Sequence, residues 1–262
     1  SGTPTITLTT VATTDASAVA EGKQVDSTGG TAVGVGAAVA LNVGVSNNTA
    51  YIGDDADIDT VGVNLSARTT AEGEEEAINA FKAEAVSGAG ASSVGLAGSL
   101  ALNVTANKSE AYIAGDRTGT AEDGNTTTAS INAGNGALTL DAQNKSTSTV
   151  NAGADVKPGE GQDPAQVGVG ASIGLNVGVN QTRAEVEDEV ALSGIGSASL
   201  TAASDHTMTT DATGGAAGGV AVTPLAALSI SVNETRAQLG SGSEVAIGDG
   251  LTAEAEQKSS VT

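Results

Sequence analysis

The sequence predicts an all-β protein, a β-solenoid of the parallel β-helix kind with long strands, in four degenerate repeats of about 61 residues. Three observations predict it. The stretch VGVGAAVALNVGVSNNTAYI, Val33 to Ile52, alternates Val or Leu with Gly, Ala or Asn from Val33 to Val45, which is the period of a strand with two unlike faces. The same string recurs without gaps at Val94 to Ile113 and Val167 to Val186, and in weaker form at Val220 to Leu239, the starts lying 61, 73 and 53 residues apart. The chain also lacks the means to fill a thick core: it has no Trp, one Phe, two Tyr and 36 Gly in 262 residues.

Each repeat divides into three strands. Strand a opens with Leu, usually followed by Ala two residues on, at Leu8, Leu65, Leu140, Leu200 and Leu251. The long alternating string is strand b. A short strand c of the Ala-x-Ile kind follows it, carrying Ile58, Ile131, Leu192 and Ile247. One elongated domain, 1–262, results, with units near 8–64, 65–139, 140–199 and 200–250 and the start of another over 251–262. Length differences fall in Gly-, Asp-, Asn- and Pro-rich links such as AGDRTGTAEDGNTTT and VKPGEGQDPA, where Pro158 and Pro164 sit outside the strands. Pro224 lies inside the fourth strand b and predicts a bulge or an unpaired edge. The Ala- and Glu-rich segment 71–85 is the one candidate for helix, yet its place between strands a and b reads as an irregular or extended insert.

Like stacked upon like places the Val/Leu/Ile face of strand b in the interior. Its Gly/Ala/Ser face then lies against a second layer at close range or stays exposed. Gly34, Gly95 and Gly168 recur at one register and call for tight packing there. Asn42, Asn103 and Asn176, with Ser229 in the weak copy, are expected to stack as a structural ladder. Such long strands favour a flattened coil over three ordinary coils of about 20 residues. A meander of antiparallel hairpins fits the strand length equally well. A membrane barrel would need aromatic girdles, and three aromatic residues do not supply them.

The string LNV…N.T.AYI followed by A.I and L.A resembles the repeats of very large bacterial surface proteins, the filamentous-haemagglutinin-like and leukotoxin-type filamentous adhesins. The resemblance covers nearly the whole chain as degenerate units and weakens at Pro224 and Ser229. It implies secretion across a bacterial envelope, a solenoid shaft at the cell surface, and a role in adhesion or extracellular structure. It carries over no catalytic residue.

Net charge is −21 with only ten Lys and Arg, which excludes nucleic acid and anionic membrane surfaces as natural partners. No cysteine is present, so disulfides and thiolate metal sites are excluded. No apolar run is long enough to cross a membrane as a helix. The chain starts at Ser1 with no signal segment, as a processed chain or a piece of a longer one would, and it starts and ends in strand a without a capping segment.

Candidates for chemistry are few. His206 is the only histidine; Ser204 and Asp205 adjoin it, but neighbours on a strand face opposite ways and a triad is defined in space. No Gly-rich run has the setting of a nucleotide loop. Asp54, Asp55, Asp57 and Asp59 crowd one turn, and Glu187, Asp188 and Glu189 the corresponding turn of the third unit, as oxygen ligands for Ca²⁺ would. They match no established calcium loop and read first as solvated carboxylates. Arg183 and Arg236 share a repeat position, where a polysaccharide lyase would want a cationic cleft, but their surroundings are acidic. Thr-rich ice binding lacks a recurring Thr-x-Thr array. The expectation is therefore a non-enzymatic extracellular protein without cofactor, a rigid shaft segment of a bacterial surface adhesin or fibre. Its partners would be adjoining repeats, other copies of itself, or a host or neighbouring cell surface. The alternatives are a filament subunit joined end to end through uncapped edges, and, further off, a β-helix that binds or cleaves polysaccharide.

Overall fold

The computed structural model describes residues 4–23, 33–70, 77–90, 93–115, 128–158, 166–241 and 245–262. Pro164 and the acidic run 71–76 lie outside them. The strands in chain order are β1 (Ile6–Val11), β2 (Asp15–Lys23), β3 (Val33–Ile52), β4 (Asp57–Asp59), β5 (Val63–Arg68), β6 (Asn79–Gly90), β7 (Val94–Ile113), β8 (Ser130–Lys157), β9 (Val167–Val186), β10 (Ala191–Ala216), β11 (Val220–Val222), β12 (Leu225–Leu239) and β13 (Val245–Val261). They form two parallel sheets. The first sheet stacks β3, β7, β9 and then β11 and β12. The second runs through β8, β10 and β13, with β4, β5 and β6 lying end to end along β8, β1 on β5 and β2 on β6.

The chain is thus an all-β stack of long parallel strands in the manner of a flattened solenoid, and every pairing is parallel. That disposes of the antiparallel meander. Strand b occupies one sheet. Strands c and a fuse across a bulge into one strand of up to 28 residues on the other. A full turn of the coil therefore consumes a whole repeat. The bulge sits where register shifts around Ile195, and its backbone needs left-handed residues: Gly134 (φ 51), Asn135 (φ 73) and Gly194 (φ 58). The 71–85 segment is extended where it is described, since β6 starts at Asn79.

Register within the first sheet follows the repeat without a gap: Val33 faces Val94, Val94 faces Val167 and Val167 faces Val220. Pro224 breaks the outer strand between β11 and β12 but inserts no residue. Val222 opposite Val169 and Leu225 opposite Ser172 keep the same offset, and Pro224 still accepts a hydrogen bond from Ser172 N–H at 3.1 Å. Of the two outcomes expected at Pro224, no bulge forms and the edge holds: the ring removes only a donor on the outermost described strand, which pairs on one side alone.

Two expectations are corrected. The first concerns the end of the chain. Leu8, Leu65, Leu140 and Leu200 form one row, but Leu251 pairs with Ala198 and Ile247 with Ile195, while Val245 and Ala253 take the places opposite Leu192 and Leu200. The slip is two residues. A period of two lets such a slip keep every inward side chain inward, so motif matching could not detect it.

The second concerns the faces of strand b. The large side chains of β3 point out of the molecule: Val35 is 63% exposed and Leu41 57%. Its Gly, Ala, Asn and Ser face is the buried one. The reason is the closeness of the sheets. A Cβ placed on Gly22 would lie 1.8 Å from Ala37 O, and one on Gly36 would lie 2.1 Å from Gly88 O. Likewise a Cβ on Gly168 would lie 2.7 Å from Ala217 O. A valine row cannot fit such a gap, so the tight packing expected of the recurrent glycines is seen at Gly168, while the expected interior is inverted. The thick part of the core lies only where strands c and a begin. There Leu65, Leu140 and Leu200 are fully buried with Ile113, Ile131 and Val186. Farther along the coil the core thins to alanine, chiefly Ala38, Ala40, Ala83, Ala101 and Ala152 with Val150.

Candidate functional site

Between the leucine core and the alanine core runs a polar interior, and the candidate residues sort by which side of a sheet they occupy. Asn42 Nδ2 donates to Asn103 Oδ1 at 3.0 Å, and Asn103 Nδ2 reaches Asn176 Oδ1 at 3.5 Å. Ser148 on β8 ties the row to the opposite sheet: its hydroxyl accepts from Asn103 Nδ2 at 2.6 Å and donates to Asn176 Oδ1 at 2.5 Å. Ser229 ends the row and bonds Thr210 at 2.6 Å. These amides thus bond along the stack and across the gap, which satisfies polar groups that would be costly if left unpaired in so thin an interior.

A second amide row was missed from sequence. Asn107 donates to Asn180 at 2.8 Å and Asn180 to Asn233 at 2.7 Å. Its signal was present four residues after the first row, as the closing Asn of NVTAN, NVGVN and SISVN, but only in three copies, since Ser46 occupies the place in the first.

The histidine belongs to this interior. His206 is 1% exposed, its Nδ1 lies 2.8 Å from Ser146 Oγ, and its Nε2 has no hydrogen-bonding partner among the described residues. Ser204 also points inward, toward Thr235 at 2.7 Å, while Asp205 faces out; the three do not converge. Burial pushes the imidazole pKa down from 6.5 to about 4. A base whose folded pKa is depressed stabilises the fold fully above its unfolded pKa, and the contribution is lost as pH falls from 6.5 toward 4. We expect urea unfolding to lose about 3 kcal/mol more in the native chain than in His206→Gln between pH 7 and pH 4. Equal losses in the two proteins would assign His206 no part in acid sensitivity.

At the end of strand b the first sheet carries an ion cluster that spacing did not foretell. Arg183, 2% exposed, lies 3.2 Å from Glu110, 3.1 Å from Glu185 and 2.9 Å from Glu187. Its Nε–H is not aimed at Glu110, so that contact is charge attraction rather than a hydrogen bond. The guanidinium lies 4.4 Å from the centre of the Tyr112 ring, which stacks on Tyr51 at 5.3 Å. Burial opposes the charge on Arg183, but Glu110, Glu185 and Glu187 outweigh it and hold the guanidinium above its ordinary pKa. Burial, and then Glu110, raise the Tyr112 hydroxyl as well. Arg236 pairs with Arg183 in register and contacts Glu234 in solvent. The two arginines are bound to carboxylates, and an anionic sugar would have to displace them.

The carboxylates of the two acidic turns have different partners. Glu187 is engaged by Arg183 and by Gly115 N–H at 3.2 Å, and Asp188 accepts from Ser241 N–H at 2.6 Å. Asp54 caps its own turn by accepting from Asp55 N–H at 3.2 Å, and Asp57 and Asp59 are exposed on β4. Among the described residues no three carboxylate or imidazole groups converge as a metal site. An open hollow of about 360 Å³ over the bulge, between Thr139, Ser199 and Thr252, holds Asp249 as its one ionisable side chain.

What remains are two outer faces of opposite character. Outward positions of the second sheet are polar or charged, with ion pairs such as Lys82–Glu84 at 2.5 Å and Lys258–Glu256 at 3.0 Å. Those of the first sheet are apolar from Val33 to Val45 and in the rows that pair with them, and polar or aromatic beyond. Comparison with known protein families, curated proteins and solved structures finds no match to this chain.

Proposed function

We propose that this chain is a structural segment of an extracellular bacterial surface protein, a stiff, non-enzymatic element whose work is to carry load and set distance. The observation that supports this reading is the unbroken in-register ladder, in which Asn42, Asn103 and Asn176 continue along the stack what the backbone does between strands. Each coil adds only about 4.8 Å to the axis, whereas its strands are about 65–90 Å long. A chain that spends so many residues per coil is economical as a broad ribbon and wasteful as a long thin spacer. The width resists bending, and the polar second sheet, with the net charge of −21, keeps charged faces apart in solution. The resemblance to filamentous adhesin repeats agrees with this role.

Negative-stain electron microscopy at several concentrations tests it. Flat particles about 90 Å long, with an unchanging stack height, are the expected result. Filaments that lengthen along the stack with concentration would replace the reading by that of a filament subunit, and compact globular particles would end it.

A further inference from the structure

The outward face of the first sheet carries seven rows of four residues, from the row of Val33, Val94, Val167 and Val220 to that of Val45, Ala106, Val179 and Val232. Every position in those rows is Val, Leu, Ile, Ala, Gly or Pro. Polar residues begin only with the next row, where Asn47, Lys108, Gln181 and Glu234 stand. The row next to the central one is leucine throughout: Leu41, Leu102, Leu175 and Leu228. The face is open. Val39 is 65% exposed, Ile173 52% and Leu228 54%.

Its extent is large. Thirteen residues along the strands and four strands across make about 800 Å². The largest apolar patch on a monomeric protein is about 300–600 Å². A stable dimer buries about 800 Å² on each partner. The match in size is one argument for what covers the face, and charge is the other. A chain of net charge −21 repels its own copies wherever carboxylates meet, and this is a broad face on which two copies touch without bringing any together. The relief is also self-complementary. The row of Ala37, Gly98 and Ala171 is a shallow furrow between ridges that contain Leu96 and Leu100, and a Cβ on Gly98 would meet nothing within 4 Å. A two-fold axis in the plane between the two faces, running along the row of Val39, Leu100, Ile173 and Ala226, lets the leucine row of one copy enter the furrow of the other.

We infer that the valine- and leucine-covered face of the first sheet is the interface of a back-to-back dimer of this chain. Two copies lie flat against each other and leave their polar sheets outward. The inference stands on this face alone and does not depend on the proposed load-bearing role.

The absence of cysteine allows a clean test. Sedimentation equilibrium of the native chain is expected to give twice the chain mass of 25.1 kDa. The double variant Leu100→Lys/Ile173→Lys should sediment as monomer with unchanged circular dichroism, whereas Thr147→Lys/Thr207→Lys on the polar sheet should remain dimeric. In case the lysines disturb folding, Leu100→Cys, in the central row of the face, should form a disulfide-linked dimer within minutes of mild oxidation, while Thr147→Cys should not. A native chain that stays monomeric at 100-fold the concentration of the first run would overturn the inference. So would dimers that survive the face lysines, or cross-linking equal at both cysteines. Native chain that is monomeric in buffer but floats with neutral phosphatidylcholine vesicles would overturn it in favour of a lipid surface.

Discussion

Arg183→Leu is expected to lower stability at pH 7 by about 3 kcal/mol, the smaller end of what breaking a buried ion pair costs. The substitution removes the cation shared by Glu110, Glu185 and Glu187 and leaves three carboxylates facing one another in a site closed to water. Lys108 still reaches Glu110 Oε2 at 2.5 Å, which is why the smaller figure applies. Urea unfolding followed by circular dichroism, suited to a chain without Trp, measures the gap between native and variant. Adding Glu185→Gln and Glu187→Gln to Arg183→Leu should narrow that gap by removing the unpaired charges. A gap that stays the same would mean that lost packing on Tyr112, not charge, sets the cost. Arg183→Lys should recover only part of the stability, since an ammonium cannot present the guanidinium fork to three partners.

Gly36→Ala is expected to cost about 3 kcal/mol, although alanine suits a strand better than glycine. The new Cβ would stand 2.1 Å from Gly88 O and 2.9 Å from Gly22 O, both backbone atoms that cannot turn aside as a side chain would. The opposite face supplies the contrast. Val35→Thr, one residue earlier, should change stability by about 0.5 kcal/mol or less when measured dilute enough for the chain to be monomeric, because Val35 is 63% exposed. Gly53→Ala, where a Cβ meets nothing within 4 Å, should be equally silent. A large cost at Val35 with none at Gly36 would restore the interior that the alternation by itself predicted.

Much of the architecture was legible in one dimension because a stacked fold repeats its environment. The gapless copies starting at Val33, Val94 and Val167 are the true register of β3, β7 and β9, insertions of unequal length notwithstanding. The Asn42, Asn103 and Asn176 row was legible for the same reason. The Leu251 slip was not, since a two-residue shift preserves every face and leaves no trace in the alternation. The Arg183 cluster was not either, because its members come from unlike positions: Glu110 sits opposite Arg183, Glu185 two residues on, and Glu187 past the end of β9. Repetition finds what is the same in each coil, and this cluster is made of what differs.

Alternation, repeat length and the poverty of aromatics were enough to determine an all-β array of long repeated strands, while the choice of parallel pairing over antiparallel hairpins came from the tertiary structure. They determined that each strand b has a large apolar face and a small one. Only the tertiary structure decided which of the two faces inward. An alternating strand is symmetric to exchange of its sides, and the usual rule that large aliphatic residues are buried presumes room to bury them. Here the backbone of Gly36 meets that of Gly88 across the gap. The distance between the sheets sets the answer, and that distance belongs to no single strand.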